Sequence, residues 1–120
     1  AQLSYAITNE IMKKIEFKYS NVVWGHNEEE FQLIDFEKKM YGRIKNGSVG
    51  SSYSLPEELL TKIEKLFLPI YVEFPGSQIA FDAPMWTLTI DDKTCTRIAV
   101  EDEDSLYKTL SELFEKIKNA

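Results

Sequence analysis

The hydrophobic period of the C-terminal part of the chain changes from two residues to nearly four, and this change restricts the fold more than any other feature. Apolar and polar side chains alternate over residues 86–90. After the turn at residues 91–93, Thr94, Thr96, Ile98 and Val100 share one strand face. From residue 106 to residue 117 the apolar positions recur at helical spacing. The sequence therefore predicts a β-hairpin followed by an amphipathic helix.

The N-terminal half predicts further strands. Residues 14–19 alternate between apolar and charged side chains, as in a half-buried strand. Residues 31–36 and 40–44 read as a hairpin, and Asn46-Gly47-Ser48 is a strong turn signal. Residues 20–30 read as a polar loop, and the small residues of 47–52 predict a flexible stretch.

A first helix is predicted after this stretch. Ser54-Leu55-Pro56-Glu57 matches a capping box, in which the Ser54 hydroxyl and the Glu57 carboxylate each accept a backbone N–H. Apolar residues follow at helical spacing as far as Phe67. Pro69 is expected to end this helix, and residues 70–74 are expected to be extended.

These elements predict an α+β domain that spans residues 1–120, because 120 residues suit one core. We expect an antiparallel sheet of about five or six strands with two amphipathic helices packed on one face. Residues 31–67 and 86–117 suggest two hairpin-plus-helix units. The other sheet face stays partly exposed, either solvated or as an interface. Most aromatic residues are expected in the core.

Composition restricts the function classes. The chain has 20 acidic and 14 basic residues and a net charge of −6, which argues against nucleic acid and anionic membranes as partners. The single cysteine, Cys95, allows no intramolecular disulfide, and no apolar run approaches the length of a membrane span. We expect a cytoplasmic protein. The start at Ala1 leaves open an extracytoplasmic domain whose leader was removed.

Catalytic motifs are missing from the sequence. His26 is the only histidine, and no nucleophile motif accompanies it, so we expect a structural or exposed loop residue. One histidine and one cysteine are too few for a zinc site, and no phosphate-binding glycine motif occurs. Cys95 is expected to be a structural strand residue. The sequence therefore predicts no catalytic, cofactor-binding or metal-binding residues.

Acidic clusters and one loop tryptophan are the candidate contacts for a partner. A tryptophan beside charged residues can anchor an interface, and acidic clusters steer a basic protein into contact. If these groups lie on one rim, they form an electrostatic footprint; the alternative is a solvated face. The predicted contact residues are Trp24, Glu28, Glu29, Glu30, Asp91, Asp92, Glu101, Asp102 and Asp104.

The hairpin of residues 86–100, the acidic spacer and the helix of 106–117 resemble the closing elements of small bacterial immunity proteins. The 31–44 hairpin and the Ser54-Leu55-Pro56-Glu57 helix are similar to that group as well. The resemblance spans most of the chain and implies a non-catalytic cytoplasmic protein that blocks a cognate toxin. Such toxins belong to contact-dependent growth inhibition or type VI secretion and are often basic nucleases. The alternatives are another protein-binding inhibitor or accessory module, or a small carboxylate-based enzyme.

Overall fold

The computed structural model describes residues 12–21, 25, 28–78, 83–99 and 105–119. The elements within these ranges are β1 Lys14–Asn21, β2 Glu28–Asp35, β3 Met40–Lys45, β4 Ser48–Ser54, α1 Glu57–Val72, β5 Met85–Ile90, β6 Lys93–Ile98 and α2 Ser105–Lys118. These six strands form one antiparallel sheet in the order β4-β3-β2-β1-β5-β6. The predicted α+β fold with an antiparallel sheet and two helices is confirmed.

The pairing register of the strands separates the two faces of the sheet. In β1, Ile15 and Phe17 are buried, whereas Lys18 is exposed. Ile15 pairs with Ile34 of β2 and with Ile90 of β5, and all three side chains are completely buried. Because paired residues point to the same side of a sheet, these side chains form one apolar surface. We call this side the covered face and the opposite side the open face.

Both helices pack on the covered face. The ring of Phe114 in α2 stacks on Phe17 of β1, with 5.0 Å between ring centroids and 12° between ring planes. Phe67 of α1 meets Phe114 edge-on, with 5.9 Å between centroids. The hydroxyl of Tyr53 in β4 lies 2.9 Å from the carbonyl oxygen of Ile117 and 2.6 Å from that of Lys118. Tyr53 thus satisfies carbonyl groups that the end of a helix leaves without an intrahelical partner.

Helix α1 runs across the end of the sheet at which β1 begins. At its first residue, Glu57 lies 3.1 Å from the Lys39 ammonium in the β2–β3 turn. In its last turn, Lys93 Nζ of β6 donates to the Tyr71 carbonyl at 2.8 Å. Its 16 residues span about 24 Å, which matches about five interstrand spacings.

In the described ranges, no helix is long and apolar enough to cross a membrane.

The end of α1 differs from the prediction. The helix contains Pro69 and continues to Val72, and Glu73 N donates to the Pro69 carbonyl at 3.0 Å. A proline in the last turn removes one helical hydrogen bond, while the bond between Tyr71 and Lys93 holds this turn against the sheet. The predicted stop at Pro69 is therefore wrong, and residues 70–72 are helical rather than extended.

The predicted capping box at the start of α1 is not formed. Ser54 is the last residue of β4 and pairs with Met40, while Pro56 occupies the N-cap position without a side-chain hydrogen bond. Leu55 is buried, and its N–H donates to the Lys39 carbonyl at 2.7 Å. Sheet pairing and the burial of Leu55 outweigh a cap, which contributes only about 1 kcal/mol.

Strand β4 occupies the stretch that the sequence predicted to be flexible. Asn46 and Gly47 have φ angles of 52° and 76°, as a type I′ hairpin turn requires, so the predicted turn is confirmed. The register then shifts opposite Arg43, where a Cβ atom on Gly50 would lie 2.0 Å from the Arg43 carbonyl oxygen. Only glycine fits this close approach. Because β4 precedes α1, the two predicted hairpin-plus-helix units differ in strand number.

A short segment after α1 covers the outer edge of β6. Gln78 N donates to the Thr96 carbonyl at 2.8 Å, and Thr96 N donates to Ser77 Oγ at 3.0 Å. Buried Cys95 donates to the Gly76 carbonyl, with 3.3 Å between Sγ and oxygen. Cys95 therefore has a structural environment on its strand, and both backbone groups of Thr96 at this edge have partners.

Candidate functional site

The open face is polar where β1, β5 and β6 form it. Lys18 and Glu16 of β1 lie beside a threonine ladder, in which the Thr87 and Thr96 hydroxyl oxygens are 3.0 Å apart. The predicted face shared by Thr94, Thr96 and Ile98 is this open face. Half-buried Met85 and Ile98 lie at one end of it. We call this region the polar half, and it follows the expected alternation of an antiparallel sheet with one solvated side.

The open face is apolar where β2 and β3 form it. Phe31 pairs with Ile44, and Leu33 pairs with Gly42. Ile44 is 42% exposed, and the other members of the group are half-buried. Phe31 is an exception to the prediction that most aromatic residues pack in the core, because its register places it on the side away from both helices. We call this group the apolar strip; its members are Phe31, Leu33, Met40 and Ile44.

The same two strands carry polar side chains on the covered face. Gln32 of β2 is buried, and its Oε1 accepts a hydrogen bond of 2.5 Å from the Tyr41 hydroxyl. Glu30 and Arg43 form a two-bond ion pair, with oxygen–nitrogen distances of 3.2 and 3.0 Å. Burial, followed by the neighbouring Tyr53, raises the pKa of Tyr41 well above its usual range. The usual polarity of the two faces is therefore inverted in this part of the sheet.

The glutamates predicted to lie in a loop are the first residues of β2. Their register alternates, so Glu29 belongs to the open face, whereas Glu28 and Glu30 belong to the covered one. Glu29 N donates to the Asn46 side chain at 2.8 Å. Glu30 is three-quarters buried in its ion pair with Arg43, which raises the pKa of Arg43 through the hydrogen bond. Glu28 and Glu29 are exposed.

The predicted acidic pair Asp91 and Asp92 forms the β5–β6 turn, and its carboxylates have partners within the fold. Asp91 has a φ of 52°, and its Oδ1 accepts hydrogen bonds from the backbone N–H groups of Lys13 (2.8 Å) and Lys14 (2.9 Å). Asp92 Oδ1 accepts a bond of 3.3 Å from the Tyr71 hydroxyl. Desolvation and then these carboxylates raise the pKa of Tyr71. Asp91 thus fastens the turn to the start of β1.

The structure does not bring the described acidic residues onto one rim. Glu28 pairs with Asn21 at the end of β1, whereas Asp91 binds the backbone of Lys14 at its beginning. Seven residues of extended chain separate these two positions by about 23 Å. These two clusters therefore lie at opposite ends of β1, and the condition of a shared rim is not met for them. The remaining predicted contacts lie outside the described residues, as does His26; these contacts are Trp24, Glu101, Asp102 and Asp104.

A cavity of about 680 Å³ opens beside the β5–β6 turn. Both charge signs line it, together with one tyrosine and one threonine. The lining residues are Lys13, Lys14, Glu16, Glu37, Tyr71, Thr89, Asp91 and Asp92. Asp91 Oδ1 already accepts two backbone hydrogen bonds, so part of the acidic lining holds the fold together. Throughout the described part of the chain, no three histidine, cysteine or acidic residues come together as metal ligands.

Comparison of the chain with protein families, with curated proteins and with solved structures gave no match.

The charge is unevenly distributed along the sequence. All 14 basic residues lie in the described ranges, whereas six of the 20 acidic residues lie outside them. The described sheet and helices therefore carry as many acidic as basic residues. The excess negative charge comes from the remaining ranges, above all from the four acids of residues 101–104 immediately before α2.

Sequence reasoning missed the apolar strip. The available signal was that both alternating sets of residues in 31–36 contain apolar side chains: Phe31 and Leu33 in one set, Ile34 and Phe36 in the other. A sheet with helices on one face covers only one of these sets.

Proposed function

We propose that this chain is a toxin-neutralising immunity protein that binds its cognate toxin through the apolar strip of the open face. The strip carries the proposal because neither described helix packs on it and because Ile44 is 42% exposed. Apolar side chains at the centre of a surface patch are typical of the cores of protein interfaces. Complete burial of one such side chain contributes about 1.5–3 kcal/mol.

Charged residues lie along one side and at one end of the strip, and we assign them to the rim of the proposed interface. Lys18 of β1 pairs with Phe31, and Glu16 pairs with Leu33, on the side of the polar half. Glu29 lies at the end of the strip on β2. Rim charges of this kind contribute to specificity and to the association rate more than to affinity.

The net charge of −6 favours a basic partner, such as the nuclease domains that the resemblance implies. Most of the excess charge lies in residues 101–104, so Glu101, Asp102 and Asp104 remain the proposed steering residues, with Trp24 as an additional anchor. Asp91 is assigned instead to the fold, because its Oδ1 accepts two backbone hydrogen bonds. The proposed site of action is the cytoplasm, where the toxin would be intercepted.

The test is co-expression of the chain with the toxin domain encoded beside its gene, with growth of the host and copurification as readouts. Ile44→Asp places a desolvated charge at the centre of the interface and is expected to weaken binding at least about 100-fold. Thr94→Asp introduces the same group on the polar half of the same face and is expected to change binding less than about threefold.

Two results contradict this proposal. If the wild-type chain neither rescues growth nor copurifies with the toxin, the immunity function is wrong. If Ile44→Asp and Thr94→Asp weaken binding equally, the toxin binds another surface. Capture of a different protein through the apolar strip would instead support the alternative of another inhibitory or accessory binding module.

A further inference from the structure

Gly42 lies in the middle of the apolar strip, and the fold does not require a glycine there. Its φ lies outside the left-handed region, and no atom of a described residue lies within 4 Å of the position of an added Cβ. Gly50, in the neighbouring strand, is the opposite case, because its added Cβ would lie 2.0 Å from a carbonyl oxygen. Glycine in a strand interior lowers stability, so a glycine that neither backbone nor packing requires points to another use.

The absent side chain leaves a notch in the strip. Met40 and Ile44 lie two residues away on the same face of β3, about 13 Å apart along the strand. Leu33 of β2 pairs with Gly42 on one side, and Ser52 of β4 pairs with it on the other. Apolar side chains therefore border the notch on three sides, and a small exposed side chain borders it on the fourth.

We propose that the Gly42 notch receives one bulky apolar side chain, such as leucine, methionine or phenylalanine, from a basic partner protein. This inference rests on the proposed function, because the partner is the toxin. The notch fits a protruding side chain, and the surrounding strip desolvates it, as in the pockets that hold anchor residues at interfaces. The chain's net charge of −6, which comes from residues outside the described ranges, repels a second copy of the chain and attracts a basic protein at long range, and this difference favours the basic protein as the occupant.

If the proposal is right, a side chain that fills the notch raises the stability of the chain and lowers its affinity for the toxin. Gly42→Val adds a β-branched residue to a strand at a position with free space. We expect its Tm to rise by about 4 °C. The same side chain occupies the notch, so the affinity for the toxin is expected to fall by about tenfold or more.

The experiment measures binding of a catalytically inactive form of the toxin domain encoded beside the chain's gene, by titration calorimetry. Gly42→Val is compared with Thr94→Val, which adds the same side chain to the polar half of the same face and is expected to leave the affinity within about twofold. Gly42→Ala provides a smaller filling and is expected to give an intermediate loss. Tm is measured for every variant, and sedimentation velocity is measured for the wild type and Gly42→Val without toxin.

The proposal is supported if Gly42→Val raises Tm and lowers the affinity for the toxin, while Thr94→Val leaves the affinity unchanged. If the wild type binds the toxin and both Gly42 variants bind equally well, the notch is wrong and the proposed function stands. If the wild type does not bind, the proposed function fails and the notch proposal fails with it. A wild-type dimer that Gly42→Val converts to a monomer would overturn the assigned occupant in favour of a second copy.

Discussion

The two halves of the open face belong to one sheet and face the same way, yet one carries polar side chains and the other carries apolar ones. In the polar half, threonine hydroxyls pair across β5 and β6, and the buried side chains Trp86, Leu88 and Ile90 of β5 lie under the helices. In the other half, β2 buries Gln32 and exposes part of an apolar strip. Folding alone explains the polar half, because alternation of side chains puts apolar groups into the core and polar groups on the open face. Folding alone does not explain the apolar side chains of the strip, and for this reason we select the strip as the candidate site.

The largest expected effect concerns the bulge that shapes β4 beside the strip. Gly50→Ala places a Cβ 2.0 Å from the Arg43 carbonyl oxygen, so the backbone of β3 or β4 has to move. We expect the free energy of unfolding to fall by about 3 kcal/mol, measured by urea denaturation. A loss of less than about 0.5 kcal/mol would show that β4 shifts freely and that the strip beside it has no fixed shape.

A smaller effect is expected from the polar pair beneath the strip. Tyr41→Phe removes the hydroxyl that binds Gln32 and leaves a buried amide oxygen without a donor. We expect a loss of about 1–2 kcal/mol in the free energy of unfolding. Gln32→Leu in the Tyr41→Phe background removes the orphaned group and is expected to recover most of this loss. If the double variant is as unstable as Tyr41→Phe, the hydrogen bond does not account for the inverted polarity.

The smallest effect is the contribution of Tyr41 to the pH dependence of stability. Burial raises the pKa of Tyr41 above its ordinary value of 10.0, so the folded state holds this proton more tightly than the unfolded state. This contribution to stability is complete below pH 10 and is lost as the pH rises from 10 towards the folded-state pKa, by less than about 1.4 kcal/mol per pH unit. Urea denaturation between pH 8 and 11 measures it. Tyr41→Phe is expected to flatten the decline, and an equal decline in both proteins would contradict this assignment.

Strong alternation made much of the fold predictable. β1, β5 and α2 have one apolar face each, and the register of the sheet places Ile15, Leu88 and Phe114 in the core as their spacing indicates. β4 was missed because the four serines and one glycine of residues 48–54 leave no hydrophobic period; its pairing with β3 makes it a strand. The end of α1 was missed because the bond between Lys93 and Tyr71 joins residues distant in sequence.

The candidate site was less predictable than the fold. Acidic clusters are easy to identify in a sequence, but the sequence does not show which groups their carboxylates bind in the fold. The backbone groups that occupy Asp91 Oδ1 lie in another strand, and Arg43 pairs with Glu30 across two strands. The apolar strip depends on which alternating set of β2 the helices cover, and this choice is made by the tertiary fold.

Helix α1 joins the two outermost regions of the sheet. It begins beside the β2–β3 turn, directly after the edge strand β4, and it ends on β6. These two attachments lie on either side of β2, β1 and β5, so the helix ties the β2–β3 turn to the edge strand β6. The helix acts as a brace, because neither edge can separate from the sheet without loosening its hold on α1.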